Sequence, residues 1–155
     1  MASASIVARN GVNEMLVQNP REFYREVYRQ PFAVPAFNVC NLEMAKAVIE
    51  AAVLERAPVI VQTYPGDLAH AAFGNDIGLL PLLIRALAQE ASTPVILHLD
   101  HGPGLEYNLR CLRAGYNSVM YDGHDLPLEA ALAETALIAR AAHALNAAVE
   151  GELGT

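Results

Sequence analysis

The sequence predicts an α/β protein built on a parallel sheet, and three observations carry that reading. Short β-branched runs alternate with alanine- and leucine-rich helical stretches along the chain. Turn residues such as Pro58, Pro65-Gly66, Pro94, Gly102-Pro103-Gly104, Gly115 and Gly123 separate them, with no long linker and no low-complexity segment. Polar groups recur where the runs end: Asn38, Asp100, His101, Asp122, Glu150 and Glu152. Strict alternation calls for right-handed crossovers and parallel strands. Five strands suit a small doubly wound sheet. They equally suit the first five β/α units of a (β/α)8 TIM barrel, which normally takes about 250 residues. The strand-end polar groups lean toward the barrel, because a barrel gathers all its carboxyl ends at one mouth.

The elements follow in order. Residues 1–11 are expected to be loosely ordered, and residues 1–155 to form one domain. Val12 to Gln30 reads as an amphipathic helix, with Met15, Leu16, Phe23, Val27 and Tyr28 near one face and Pro20 splitting it. Ala33 to Asn38 is a short strand. Asn41 caps a helix from Leu42 to Arg56, with Glu43 in its first turn. Pro58 opens the strand Val59 to Thr63, and Pro65-Gly66 breaks it. A helix from about Asp76 to Glu90 tolerates Pro81 only in its first turns, and its Leu79–Leu87 apolar face is core. Val95 to Asp100 is a strand, Leu105 to Ala114 a helix, Ser118 to Asp122 a strand, and Leu128 to Leu145 a helix. Ala147 to Leu153 is the fifth strand.

The stretch Val95-Ile96-Leu97-His98-Leu99-Asp100-His101-Gly102 organises the rest. Alternation puts His98 and Asp100 on one face and Leu97 and Leu99 on the other, with His101 at the strand's end. Polar groups at the carboxyl end of a buried strand are costly unless partnered. That end is also where α/β proteins place their chemistry. A satisfied Asp–His contact capping a strand would account for the same residues. His98 reads as an interior histidine held by hydrogen bonds, and His70, His124 and His143 as surface residues. Glu150 and Glu152 share a face, so their repulsion requires either a cation or solvent. Gly102-Pro103-Gly104 is a turn, too short for a phosphate cradle.

Composition narrows the classes. The chain is 54% apolar with mean hydropathy +0.24, and no run approaches the roughly 18 apolar residues of a membrane span. Met1 to Arg9 lacks a signal-peptide core, so a cytoplasmic location is expected, with no membrane partner. Cys40 and Cys111 form neither a disulfide framework nor a cysteine zinc site. A net charge of −7 argues against nucleic acid, yet leaves room for a phosphorylated small molecule held locally.

Several segments together resemble the class II, zinc-dependent ketose-bisphosphate aldolases. They are Asp100-His101-Gly102, Ser118-Val119-Met120-Tyr121-Asp122-Gly123, Leu126-Pro127-Leu128-Glu129 and Val149-Glu150-Gly151-Glu152-Leu153-Gly154, in the family's order and spacing. Val34-Pro35-Ala36-Phe37-Asn38 and Ala57-Pro58-Val59-Ile60 resemble its first two strands. The likeness runs from about residue 15 to 155 and does not separate fructose- from tagatose-bisphosphate enzymes. It implies the (β/α)8 barrel and a reversible aldol cleavage of a phosphorylated sugar, giving dihydroxyacetone phosphate and glyceraldehyde 3-phosphate. It implies Asp100 as the proton-exchanging catalytic residue and His101 as a zinc ligand. Asp122 and Glu152 match carboxylates for a second or alternative cation, divalent or monovalent, and Asn38 an asparagine near the substrate.

There are departures. Tyr64 stands where the family commonly has a small hydroxyl residue, and His124-Asp125 where it usually has Ser-His or Ser-Lys after Asp-Gly. The family's other two zinc histidines, its mobile glycine-rich loop and its phosphate loops fall beyond position 155. A catalytic zinc normally has three protein ligands. The expectation is therefore a homo-oligomer or a complementary C-terminal half as partner, or a truncated, non-catalytic half-barrel subunit. Metal-dependent hydrolysis ranks well below these. His98-x-Asp100-His101 is most of an H-x-H-x-D-H signature, but position 96 is Ile and the βα alternation disagrees with the fold that carries it.

Overall fold

A computed structural model describes residues 15–71 and 77–152. The loosely ordered start expected over 1–11 and the surface placement expected of His70 lie outside what is described. The elements are α1 (Pro20–Val27), β1 (Ala36–Asn38), α2 (Leu42–Glu55), β2 (Val59–Thr63), α3 (Pro65–Ala71), α4 (Leu79–Glu90), β3 (Val95–Gly102), α5 (Leu105–Ala114), β4 (Ser118–Tyr121), α6 (Leu128–Ala144) and β5 (Ala148–Gly151). The described strands form one parallel sheet in the order β1-β2-β3-β4-β5. A doubly wound sheet reverses its strand order at a switch point. This sheet never reverses, so it is the wall of a barrel, with four β/α units and the strand of a fifth among the described residues.

The helix boundaries follow local chemistry. Asn41 Oδ1 accepts the Met44 N–H at 2.8 Å and caps α2, as its position in the sequence requires. The first helix differs from expectation: Pro20 opens α1 rather than splitting a longer helix. Proline suits a first-turn position, where its missing N–H costs nothing. Asn19 Oδ1 caps the turn by accepting the Glu22 N–H at 3.3 Å. The preceding residues are extended, with Leu16 bridged in parallel to Val95.

The two faces of the sheet are covered differently. Val61, Leu97, Leu99 and Val119 face outward and pack with Ile49, Leu68, Ile84 and Ile138 into the main core. Truncating one such buried leucine typically costs about 2–5 kcal/mol. On the inner face α1 packs Phe23 and Val27 on Ile96, with Ile60 and Val34 beside them. That plug sits toward the amino ends of β2 and β3, where Ile60 pairs with Ile96. It leaves the carboxyl half of the inner face to polar side chains.

The alternation of β3 breaks near its end. Leu99 pairs with Val119 and Gly102 with Tyr121, so Asp100 and His101 stand opposite Met120 alone. This is a β-bulge, and His101 adopts the left-handed conformation within it, at φ 49°. Gly102 closes the bulge against its neighbours. A Cβ there would lie 2.6 Å from the Met120 carbonyl oxygen and 2.5 Å from Asn108 Nδ2. The first of these is backbone and cannot swing aside. Gly102→Ala is therefore expected to lower the unfolding free energy by about 1–3 kcal/mol in a denaturant titration. Wild-type stability in that variant would contradict the close approach.

Candidate functional site

The carboxyl ends of the strands deliver the polar side chains to one mouth. Asn38 ends β1, Gln62 is next to last in β2, Asp100 and His101 come from the β3 bulge, Asp122 follows β4 and Glu152 follows β5. Asn38 Nδ2 donates to Asp100 Oδ2 at 2.7 Å, and Gln62 Nε2 donates to Asn38 Oδ1 at 2.6 Å. His101 Nε2 lies 3.9 Å from Asp100 Oδ1. On its other side, His101 Nδ1 lies 2.8 Å from Asp122 Oδ2 and 3.7 Å from Glu152 Oε2. The five residues for which the resemblance implies a role, Asn38, Asp100, His101, Asp122 and Glu152, thus join one connected group.

Three of them form a compact donor set. Ligand atoms of His101, Asp122 and Glu152 lie within 4.8 Å of one another, and they make up the metal-competent group found among the described residues. One imidazole and two carboxylates are hard-to-borderline donors, a set suited to zinc or another small divalent cation. His101 forms part of the wall of an adjoining cavity of about 570 Å³. Tyr64, Tyr121, Asp122, His124 and Glu134 also line it. The ring of Tyr64 meets His101 edge-on, 6.2 Å between centroids.

The electrostatics follow from these contacts. Partial burial pushes the Asp122 carboxyl up, but hydrogen bonds from His101 and His124 outweigh it and bring it down to about 2. The Asp122 carboxylate in turn raises His101 above the ordinary histidine range, against a smaller effect of burial. Partial burial raises Glu150, and the neighbouring Asp100 and Glu152 add to the rise. Deeper inside, His98 is buried and its Nδ1 is 2.7 Å from Ser118 Oγ. Its Nε2 lies 3.4 Å from Glu150 Oε2. Burial outweighs the pull of Asp100 and lowers His98 to about 4, so at neutral pH the ring that faces Glu150 is uncharged.

Two members of this group escaped sequence reasoning. Gln62 shares the inward parity of Ile60, and a long polar side chain at an inward position of the strand was its signal. His124 is a surface residue as expected, yet its Nδ1 lies 2.7 Å from Asp122 Oδ1. His143 is exposed, in line with expectation.

Comparisons with known proteins bear on the family and the fold. The family model for class-II fructose-bisphosphate aldolase matches residues 18–155. The fructose-bisphosphate aldolase of Streptococcus pyogenes is 37% identical over 143 residues, covering 91% of this chain and 47% of that protein. The D-tagatose-1,6-bisphosphate aldolase subunit GatY of Klebsiella oxytoca is 35% identical over 140 residues, covering 90% of this chain and 48% of that protein. The crystal structure of the YdjI aldolase from Escherichia coli K12 superposes with a TM-score of 0.81 at 30% identity, covering 90% of this chain and 52% of that one. The chain spans about half the length of the curated relatives it matches.

The buried His98 yields a pH prediction. Its folded value of about 4 lies below the ordinary 6.5, so the unfolded chain binds the extra proton. The stability this gives is fully present above pH 6.5 and is lost as pH falls toward 4, up to about 3 kcal/mol. Unfolding midpoints should drop across that window, and the drop should shrink in His98→Asn. Equal slopes in the two proteins would contradict a neutral buried ring.

Proposed function

This chain belongs to the class II fructose-bisphosphate aldolase family, and from that membership we propose that it serves a metal-dependent, reversible aldol cleavage of a ketose bisphosphate. Fructose 1,6-bisphosphate or tagatose 1,6-bisphosphate would give dihydroxyacetone phosphate and glyceraldehyde 3-phosphate. The observation that carries the reading is the convergence of Asp100 with the His101–Asp122–Glu152 donor set at one mouth.

In the cleavage direction Asp100 takes the proton from the hydroxyl on the carbon that becomes the aldehyde. The carbon–carbon bond then breaks, its electron pair passes to the ketose half as an enolate, and a proton taken up from solvent at that carbon gives dihydroxyacetone phosphate, while Asp100 returns its own proton to solvent. In condensation the proton returns from Asp100 to the new hydroxyl. Asn38, itself oriented by Gln62, holds the Asp100 carboxylate by donating to Oδ2, which leaves Oδ1 for the substrate. His101, Asp122 and Glu152 are the residues that would hold zinc. A divalent cation bound there supplies Lewis-acid stabilisation of the enolate charge. Tyr64 narrows the neighbouring cavity and would bear on which substrate enters.

The partners we read are a phosphorylated sugar and a further protein segment. The sheet is open at β1 and β5, and exposed Phe37 lies beside an apolar groove that includes Pro35 and Val48. Open parallel edges and apolar surface favour closure by a second copy or by a complementary C-terminal half. No helix among the described residues is long and apolar enough to cross a membrane.

The test is aldol cleavage of fructose 1,6-bisphosphate by the purified protein supplied with a complementary C-terminal half. Activity should vanish with a chelator and return with zinc. Asp100→Asn should lower kcat by about 10²–10⁴-fold, with zinc content unchanged. Chelator-insensitive cleavage, or full activity in Asp100→Asn, would contradict the reading.

A further inference from the structure

We propose that His124 is a positioning residue that locks one oxygen of Asp122, so that the other alone faces the His101–Glu152 group. This rests on the metal-centre reading above and deepens it. The two oxygens of Asp122 are engaged differently. Oδ2 meets His101 Nδ1 at 2.8 Å. Oδ1 accepts two donors from His124, the backbone N–H at 3.1 Å and ring Nδ1 at 2.7 Å. The ring's Nε2 lies 3.2 Å from Asp125 Oδ1. Asp125, His124, Asp122 and His101 therefore form an unbroken run of contacts, and all four line the same cavity.

The resemblance does not supply this run. Family members usually continue Asp-Gly with Ser-His or Ser-Lys, whereas this chain continues with His124-Asp125. The physical consequence concerns a soft torsion. The carboxylate of an aspartate rotates broadly about its last bond. Left alone, it can offer a cation either oxygen or both. Two donors on Oδ1, both from the residue two positions on, fix that rotation. Donation by Oδ2 alone then becomes the resting geometry. Partners that orient a ligand in this way are typically worth 10–100-fold in metal affinity. The His124 side chain is 61% exposed, so removing it deletes the contact without opening the core.

Zinc titration of the intact protein by calorimetry tests this. Four forms are compared: wild type, His124→Ala, His124→Asn and Asp122→Asn. An asparagine amide can stand where ring Nδ1 stands. The expected result is about 10–100-fold weaker zinc binding in His124→Ala and recovery of most of it in His124→Asn. The visible spectrum of the cobalt-loaded protein should shift in His124→Ala and in Asp122→Asn, and stay near that of the wild type in His124→Asn. Wild-type affinity in His124→Ala, beside weakened binding in Asp122→Asn, overturns the positioning role and leaves the metal centre standing. Equal losses in His124→Ala and His124→Asn overturn it in favour of direct ligation. Unchanged binding in Asp122→Asn removes the metal centre itself, and the positioning role with it.

Discussion

One extra residue in β3 governs the site. Regular pleating would send Asp100 to the inner face and His101 to the outer face, among Leu97, Leu99 and the helices. An imidazole placed there would lose water and gain no partner. The bulge cancels that outcome by setting Asp100 and His101 together against Met120. The left-handed backbone at His101 costs on the order of 1–3 kcal/mol. Its contacts with Asp122 and Glu152 help to offset that cost, and the absent Cβ of Gly102 allows the strands to close around it. Backbone strain and the imidazole of the metal-competent group thus occupy the same residue.

A second constraint is the density of acid at the mouth. Asp100, Asp122, Glu150 and Glu152 converge there in a protein of net charge −7. Such a group persists only if donors surround it. Asn38 supplies one to Asp100, while His101 and His124 serve the two oxygens of Asp122. His98 stays uncharged beneath them and cannot neutralise the cluster at ordinary pH. A cation at His101, Asp122 and Glu152 would relieve what repulsion remains, which is a physical reason for the mouth to bind one.

Much of this could be read before any coordinates. Alternating β-branched and alanine-rich runs led to the parallel sheet because period and composition act locally. Asn41 announced its cap for the same reason. The choice between barrel and open sheet needed strand order, which residue pattern alone does not carry. The polar strand ends hinted at a common mouth, and the structure brings all six of them to it. What could not be read depends on contacts distant in the chain or on backbone geometry. The bulge has no residue signature beyond Gly102, and Gln62 matters only because Asn38 lies beside it in the next strand. His124 looked like any surface histidine, since its importance comes from the turn that folds it back on Asp122. Pro20 misled because a proline inside an amphipathic pattern reads equally as a break or a start.

The most direct measurement is anomalous diffraction at the zinc edge from crystals of the zinc-loaded protein. The account predicts a peak at about 2.0–2.2 Å from a ring nitrogen of His101 and a carboxylate oxygen of Asp122 or Glu152, with Asp100 beside it and free of metal. Zinc bound only elsewhere, or none at this mouth at saturating concentration, would contradict it.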